Sequence, residues 1–292
     1  MVKIALDPAM YHNELSVADE LRKAADLGYH YLELSPRPDW FFWHRYPKAD
    51  RAAIAQVKKA EKETGVKILT LVPVFNFSAP DQTERAFQVR NWRRLLQIAN
   101  DLELDLVNSE LSGDPTQPLQ SEHSFYLSME ELTPDFERYG ITLNLEAHPY
   151  DFSETNDDCV QIIRGLDLDW VNYVFCAPHA FHLSQGRGDL NRMITYAHDA
   201  GKLAHLHIAD CYNHLANAGN RYIINPPGVD ARIHQHNEIG HGDLNWNEFF
   251  TTLREINFDG IATVCVFGWE ETADDIHRRM LERVSKELGS SS

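Results

Sequence analysis

The chain has 292 residues, a length that suits one α/β barrel, and its 43% hydrophobic fraction supports a large buried core. A formal net charge of −17 argues against a nucleic-acid partner, whose phosphates need clustered Lys and Arg. No run approaches the ~18 apolar residues of a membrane span, and four cysteines without a CxxC pair make no disulfide framework.

The first segment, MVKIALDPAM, holds one basic residue and enters a strand pattern at once, so no signal peptide is read there. With free thiols, a reducing, cytoplasmic setting is expected. From this point eight strand-like runs alternate with helical patterns, at about residues 3–8, 31–36, 67–76, 104–110, 141–148, 171–178, 203–210 and 260–267. They are short and rich in Val, Ile, Leu and Tyr, as strands buried on both faces should be. Ser16 and Asp19 form a capping pair for the first helix. The clearest helix spans 82–102, where Ala86, Val89, Trp92, Leu95, Leu96, Ala99 and Leu102 recur at intervals of three or four. Arg90, Arg93 and Arg94 within it read as a solvated face. Gly28, Gly65, Gly140 and Gly201 each follow a helical pattern and precede a strand, where a left-handed residue turns the chain.

Eight β-then-α units with right-handed crossovers predict a single (β/α)8 TIM barrel over residues 1–288, with the last residues, GSSS at 289–292, a disordered tail. An open doubly wound sheet is the alternative, but no GxGxxG follows the first strand, so a dinucleotide site is not expected. Two connections exceed what barrel turns require. Residues 37–50 carry Trp40, Phe41, Phe42 and Trp43; residues 211–245 carry His214, His234, His236 and His241. Both follow strands and so lie over the C-terminal mouth. The aromatic run reads either as a lid over substrate or as a contact between copies, which leaves a homo-oligomer open.

In such a barrel, side chains at successive strand ends converge on one mouth. The last four runs end in ITLNLEAHP (Glu146, His148), VNYVFCAPH (Cys176, His179), LAHLHIAD (His207, Asp210) and GIATVCVF (Cys265). Nitrogen, oxygen and sulfur donors from four adjacent strands are the material of a catalytic metal site. A carboxylate deep in the mouth costs several kcal/mol unless paired or metal-bound, so Glu146 reads as a ligand in preference to an internal salt bridge. His205 shares the face of His207, which lies nearer the strand end and is the better ligand; His205 then fills a layer or backs it. Cys176 and Cys265 read either as core packing or as ligands, and as thiolates would favour zinc over manganese or magnesium. His179, His182, His234 and His236 form a second cluster, for a second metal, for substrate or as a plain surface loop. Glu110 reads as a general base or further ligand, and Glu33 as a partner of substrate or of a loop.

These segments and the opening KIALDPAMYHNELSVADELRKAADLGYHYLELSPR carry a resemblance. Nearly the whole chain resembles the sugar phosphate isomerase/epimerase superfamily, the xylose isomerase-like barrels that include endonuclease IV. The opening resembles the IolH-type proteins of inositol catabolism. The resemblance implies one divalent ion held by Glu, Asp, His and Glu at the ends of strands five to eight, positions filled here by Glu146, Cys176, His207 and Cys265. Two carboxylates of that pattern are absent, and Cys265 removes the one that usually helps shuttle the proton. PHAFHLSQGRGDL and RIHQHNEIG resemble stretches that hold an additional zinc in endonuclease IV, implying an alternative metal site at His179, His234 and His236.

The expected activity is a metal-dependent isomerase or epimerase acting on a cyclitol, keto-inositol or related sugar. Glu146 or Glu110 would move the proton and His179 would orient substrate oxygens or the metal. Glu33, His148, Trp40 and His182 would contact substrate. A dehydratase or lyase on the same compounds shares the first proton abstraction, and a barrel that binds without catalysis is supported by the two cysteines.

Overall fold

Prolines set where the strands stop. Runs that stay largely apolar through residues 8, 36, 76 and 178 leave the sheet at Leu6, Leu34, Leu71 and Cys176. Pro8, Pro36, Pro73 and Pro178 have no N–H to give a ladder.

The computed structural model describes residues 1–184, 188–212 and 236–289. Its strands are β1 (Lys3–Leu6), β2 (Tyr31–Leu34), β3 (Lys67–Leu71), β4 (Leu106–Glu110), β5 (Thr142–Glu146), β6 (Val171–Cys176), β7 (Leu203–Ile208) and β8 (Ile261–Val264). They close in sequence order into a parallel barrel, β8 pairing with β1. The expected (β/α)8 TIM barrel is the architecture of this protein.

Among the described residues the helices are α1 (Val17–Leu27), α2 (Arg51–Thr64), α3 (Gln82–Asp101), α4 (Pro118–Tyr139), α5 (Asn156–Gly165), α6 (Ala177–Leu183), α7 (Leu190–Asp199), α8 (Trp246–Glu255) and α9 (Ala273–Leu288). Ser16 caps α1 by accepting the Asp19 backbone N–H at 3.2 Å, which satisfies one of the orphan donors of the first turn. The chain leaves α1 at Gly28 with φ +92°, a conformation that other residues adopt only under strain. Gly289 caps α9, and the rest of the expected tail lies outside the described residues. None of the described helices is long and apolar enough to cross a membrane.

The periodic face of α3 buries Trp92 completely, with Phe75, Phe77 and Phe136 at ring distances of 5.8, 5.5 and 5.6 Å. Truncating such a side chain to alanine costs about 3–5 kcal/mol, so this cluster anchors α3 and α4 to the barrel.

The interior is polar where the site begins. Side chains two apart on a strand share a face, so Asn108 goes with Glu110, Asn144 with Glu146, and His205 with His207. The register sets Asn108 beside Asn144, Glu110 beside Glu146, and Cys176 beside His207.

Candidate active site

A floor of hydrogen bonds supports the mouth. Asn144 Nδ2 donates to Asn108 Oδ1 at 3.0 Å, and Asn108 Nδ2 donates to Glu33 Oε2 at 2.6 Å. His205 Nδ1 lies 3.0 Å from that same Asn108 amide, and its Nε2 lies 2.7 Å from Thr263 Oγ1 and 3.1 Å from Glu33 Oε2. Strands β2, β4, β5, β7 and β8 are thereby linked through buried side chains. In low dielectric such a network stabilises only when its members are satisfied.

His207 connects this floor to the layer above. Its Nδ1 donates to Glu146 Oε2 at 2.8 Å. Its Nε2 is 2.8 Å from Glu33 Oε1 but out of line for a hydrogen bond, so a buried nitrogen stands against a carboxylate without one. Burial disfavours the imidazolium, yet Glu33 and Glu146 on either side outweigh it and hold the His207 pKa well above its usual range. Burial likewise raises Glu146, but His207 and His179 prevail and keep its carboxyl well below the ordinary carboxylate value.

His179 arrives by a different route. Helix α6 begins directly after Cys176, with Pro178 in its first turn, so His179 turns back over the barrel instead of continuing a strand. Its Nδ1 donates to Glu146 Oε1. Its Nε2 lies 3.3 Å from Nε2 of His236. The His236 Nδ1 donates to the Cys265 carbonyl at 2.7 Å, and its ring stacks on Phe267 at 4.3 Å.

Asp210 sets His236 in place. Backbone bonds of 2.7 and 2.8 Å pair Asp210 with Asn237 as the long connection returns. The carboxylate accepts the N–H groups of Cys211 and Gly240 at 2.8 Å and the indole N–H of Trp246 at 2.8 Å. A Cβ on Gly242 would come within 2.2 Å of Asp210 Oδ1, so glycine is required there. Asp210, at a strand end like the other ligand candidates, thus serves as an anchor for the loop.

The two ligand sets that the sequence keeps as alternatives meet at Cys176. Donor atoms of Glu146, Cys176 and His207 lie within 4.8 Å of one another, and so do those of Cys176, His179 and His236. Cys265 stands apart, its Sγ 3.3 Å from Nδ1 of His236, on the side of that ring turned away from His179. Burial pushes both thiols up. His234 lies outside the described residues.

A third group joins Glu110, His148 and Asp151, with His148 Nε2 3.5 Å from Glu110 Oε1. Burial raises the Glu110 carboxyl, and burial together with Glu110 raises Asp151 further. His148 also meets His179 edge-on at 4.4 Å.

Glu33, Glu110, Glu146, His148, His179, His207, His236 and Cys265 line one cavity with Phe42, Trp43 and Phe267. Trp40 does not reach it. An antiparallel bridge between Arg37 and Phe41 folds the loop back, burying Trp40 and Phe41 in the core, Trp40 beside α1 and α2, and leaving Phe42 and Trp43 at the cavity. His182 sits one turn past His179 on α6, outside the cavity lining. Asp7, His12 and Ser35 line the same cavity and were not singled out from sequence, although Asp7 ends the first strand run as Glu146 ends the fifth.

Proteins of curated function yield no match to the chain. A D-psicose 3-epimerase crystallised in the presence of D-fructose has a similar structure, with TM-score 0.76 and 16% identity over 99% of this chain and 100% of that one. The IOLI protein with a binding zinc atom gives TM-score 0.72 and 16% identity over 99% of this chain and 98% of its own. The 3-keto-D-glucoside 4-epimerase YcjR from E. coli, in its apo form, gives 0.72 and 18% over 98% and 100%. At such identities the likeness is one of fold. The sequence profile of the xylose isomerase-like TIM barrel matches residues 21–283, and the chain belongs to that family.

Proposed function

We propose that this protein is a metal-dependent isomerase or epimerase acting on a cyclitol, keto-inositol or related sugar. The observation that carries the reading is the contact between His179 and His236. Each ring commits its Nδ1–H to an acceptor, Glu146 for one and the Cys265 carbonyl for the other. Burial and His148 push His179 down to about 4, and burial and His179 push His236 well below the usual imidazole value, so both rings are neutral. Their Nε2 atoms lie 3.3 Å apart. Two nitrogen ligands on one tetrahedral zinc ion are about 3.3 Å apart, from Zn–N distances of about 2.0–2.1 Å. A histidine whose other nitrogen is held by a carboxylate or carbonyl is the usual form of a metal-binding imidazole.

The donors fit a divalent ion: Cys176, His179 and His236 would hold it, with Glu146 and His207, which form a second group with Cys176, beside them. Imidazoles and a thiol favour zinc over manganese. Such an ion polarises a carbonyl or hydroxyl and stabilises the negative charge that develops when a neighbouring proton leaves. Glu146, held ionised by its two histidines, would take that proton. Glu110, raised by burial, has the acid–base character to take part, a role that contributes about 10²–10⁴ in rate. Phe42, Trp43 and Phe267 would exclude water from the reacting carbon. The epimerase activities named for proteins of the same fold support the substrate class, as does the IolH-like opening segment.

The test is direct. Protein loaded with zinc or manganese is incubated with a keto-inositol, D-fructose and D-psicose, and products are followed by NMR and mass spectrometry. An isomer of unchanged mass, formed only with metal, supports the reading. Loss of water would assign a dehydratase, and no conversion with either metal would reject the proposal.

A further inference from the structure

Resting on that reading, we infer that Asp7 is a second catalytic acid–base group, facing Glu146 across the mouth, and that Ser35 and His12 relay its proton. Asp7 follows β1, which stands four strands from β5 whichever way the barrel is counted. Both carboxylates line the same cavity. A sugar carbon bound between them therefore has Glu146 on one face and Asp7 on the other. Inverting that carbon requires removing a proton from one face and returning one to the opposite face. Cys265, on the neighbouring strand, has no carboxylate for that task, and the backbone N–H of Asp7 bonds the carbonyl of Val264 beside it.

Behind Asp7 runs a chain of short hydrogen bonds. Ser35 Oγ donates to Asp7 Oδ1 at 2.6 Å, and His12 Nε2 lies 2.9 Å from Ser35 Oγ. His12 Nδ1 lies 2.7 Å from Glu20 Oε1, and Glu20 in turn pairs with the Arg37 guanidinium. Glu20 is fully buried and acts as a positioning residue, fixing the ring so that Nε2 aims at Ser35. This line serves either protonation state. With Asp7 ionised, His12 donates to Ser35 and Ser35 to Asp7; with Asp7 protonated, both bonds reverse. Burial pushes the Asp7 carboxyl up to about 6, so both forms are accessible near neutrality.

The proton balance closes without any co-reactant. Glu146 takes the proton of the C–H bond, whose electron pair becomes the carbon–carbon double bond of an enediolate. Asp7, as the neutral acid, gives its proton to the other face; the double-bond electrons form the new C–H bond and Asp7 is left as carboxylate. His12 takes a proton from water as Glu146 releases its own; Ser35 then takes that proton from His12 while passing its hydroxyl proton to Asp7.

The experiment compares wild type, Asp7→Asn and His12→Gln, each loaded with zinc, on the keto-inositol or ketohexose that wild type converts, in deuterated water. Wild type should form deuterated product and also exchange deuterium into recovered substrate. Asp7→Asn keeps the acceptor for Ser35 and should lose product by about 100-fold while exchange through Glu146 persists. His12→Gln should lose product by about tenfold with exchange likewise persisting. Product formed by Asp7→Asn at the wild-type rate overturns the relay. So does joint loss of exchange and product in a variant whose thermal unfolding is unchanged, because that outcome means Asp7 only shapes the site. A wild type that neither exchanges nor converts any compound of the panel overturns the isomerase reading, and the relay with it.

Discussion

His179 and His236 face each other through Nε2 atoms 3.3 Å apart, while each fixes its ring by donating from Nδ1. If the pair brackets a cation, His236→Ala should weaken zinc binding by more than tenfold while the barrel keeps its secondary structure. Competition against a chromogenic chelator measures this. Zinc affinity equal to wild type would remove His236 from the ligand set.

The two cysteines at the ends of the sixth and eighth strands should behave differently. Cys176 belongs to both donor groups, whereas Cys265 touches the far side of the His236 ring. Cys176→Ser should lower zinc affinity at least tenfold, since a hydroxyl is a poor, hard ligand. Cys265→Ser should leave zinc stoichiometry intact and cost about 1 kcal/mol of stability as a buried packing change. Elemental analysis and urea unfolding of the two variants separate these outcomes.

Asp210 touches none of the donor atoms but anchors the segment that carries His236. Asp210→Ala should therefore reduce zinc affinity by about 10–100-fold, the usual size of a supporting-residue effect. Chelator competition at matched protein stability reads it, and an affinity within twofold of wild type would mean that the loop return needs no such anchor.

Asp7 carries a pH signature in stability. Its ordinary value is 3.8 and burial raises it to about 6 in the folded chain. Between those values the folded state binds more protons than the unfolded one, so this group makes stability fall as pH rises, by about 3 kcal/mol in all. Asp7→Asn lacks that fall. Relative to wild type it should be about 2.4 kcal/mol more stable at pH 7.5 than at pH 4. Equal differences in urea unfolding free energy at the two pH values would show that the carboxyl is not shifted.

The barrel was legible because its strands are short apolar runs, all but the eighth closed within a few residues by a polar residue or a proline. Glu146 and His207 stood out for the same reason, as costly groups at the ends of buried strands. The junction of the two ligand sets was not legible. It depends on α6 leaving β6 without a loop, and on Asp210 recalling a segment far along the chain, neither of which leaves a periodic trace. Trp40 and Trp43 look alike in sequence, and only the bridge between Arg37 and Phe41 decides which is buried. Asn108 and Asn144 did carry a signal, since an amide inside an apolar strand needs a partner. Asp7, Ser35 and His12 join across β1, α1 and β2, a proximity that exists only once the barrel has closed.

The central claim is that Glu146 takes a proton from carbon beside a carbonyl in this mouth. Zinc-loaded wild type and Glu146→Gln are incubated in deuterated water with the keto-inositol, and NMR follows deuterium at the carbon next to the carbonyl. Wild type should incorporate it and lose that ability when the metal is chelated, and Glu146→Gln should be slower by at least about 100-fold. Incorporation by Glu146→Gln at the wild-type rate would contradict the account.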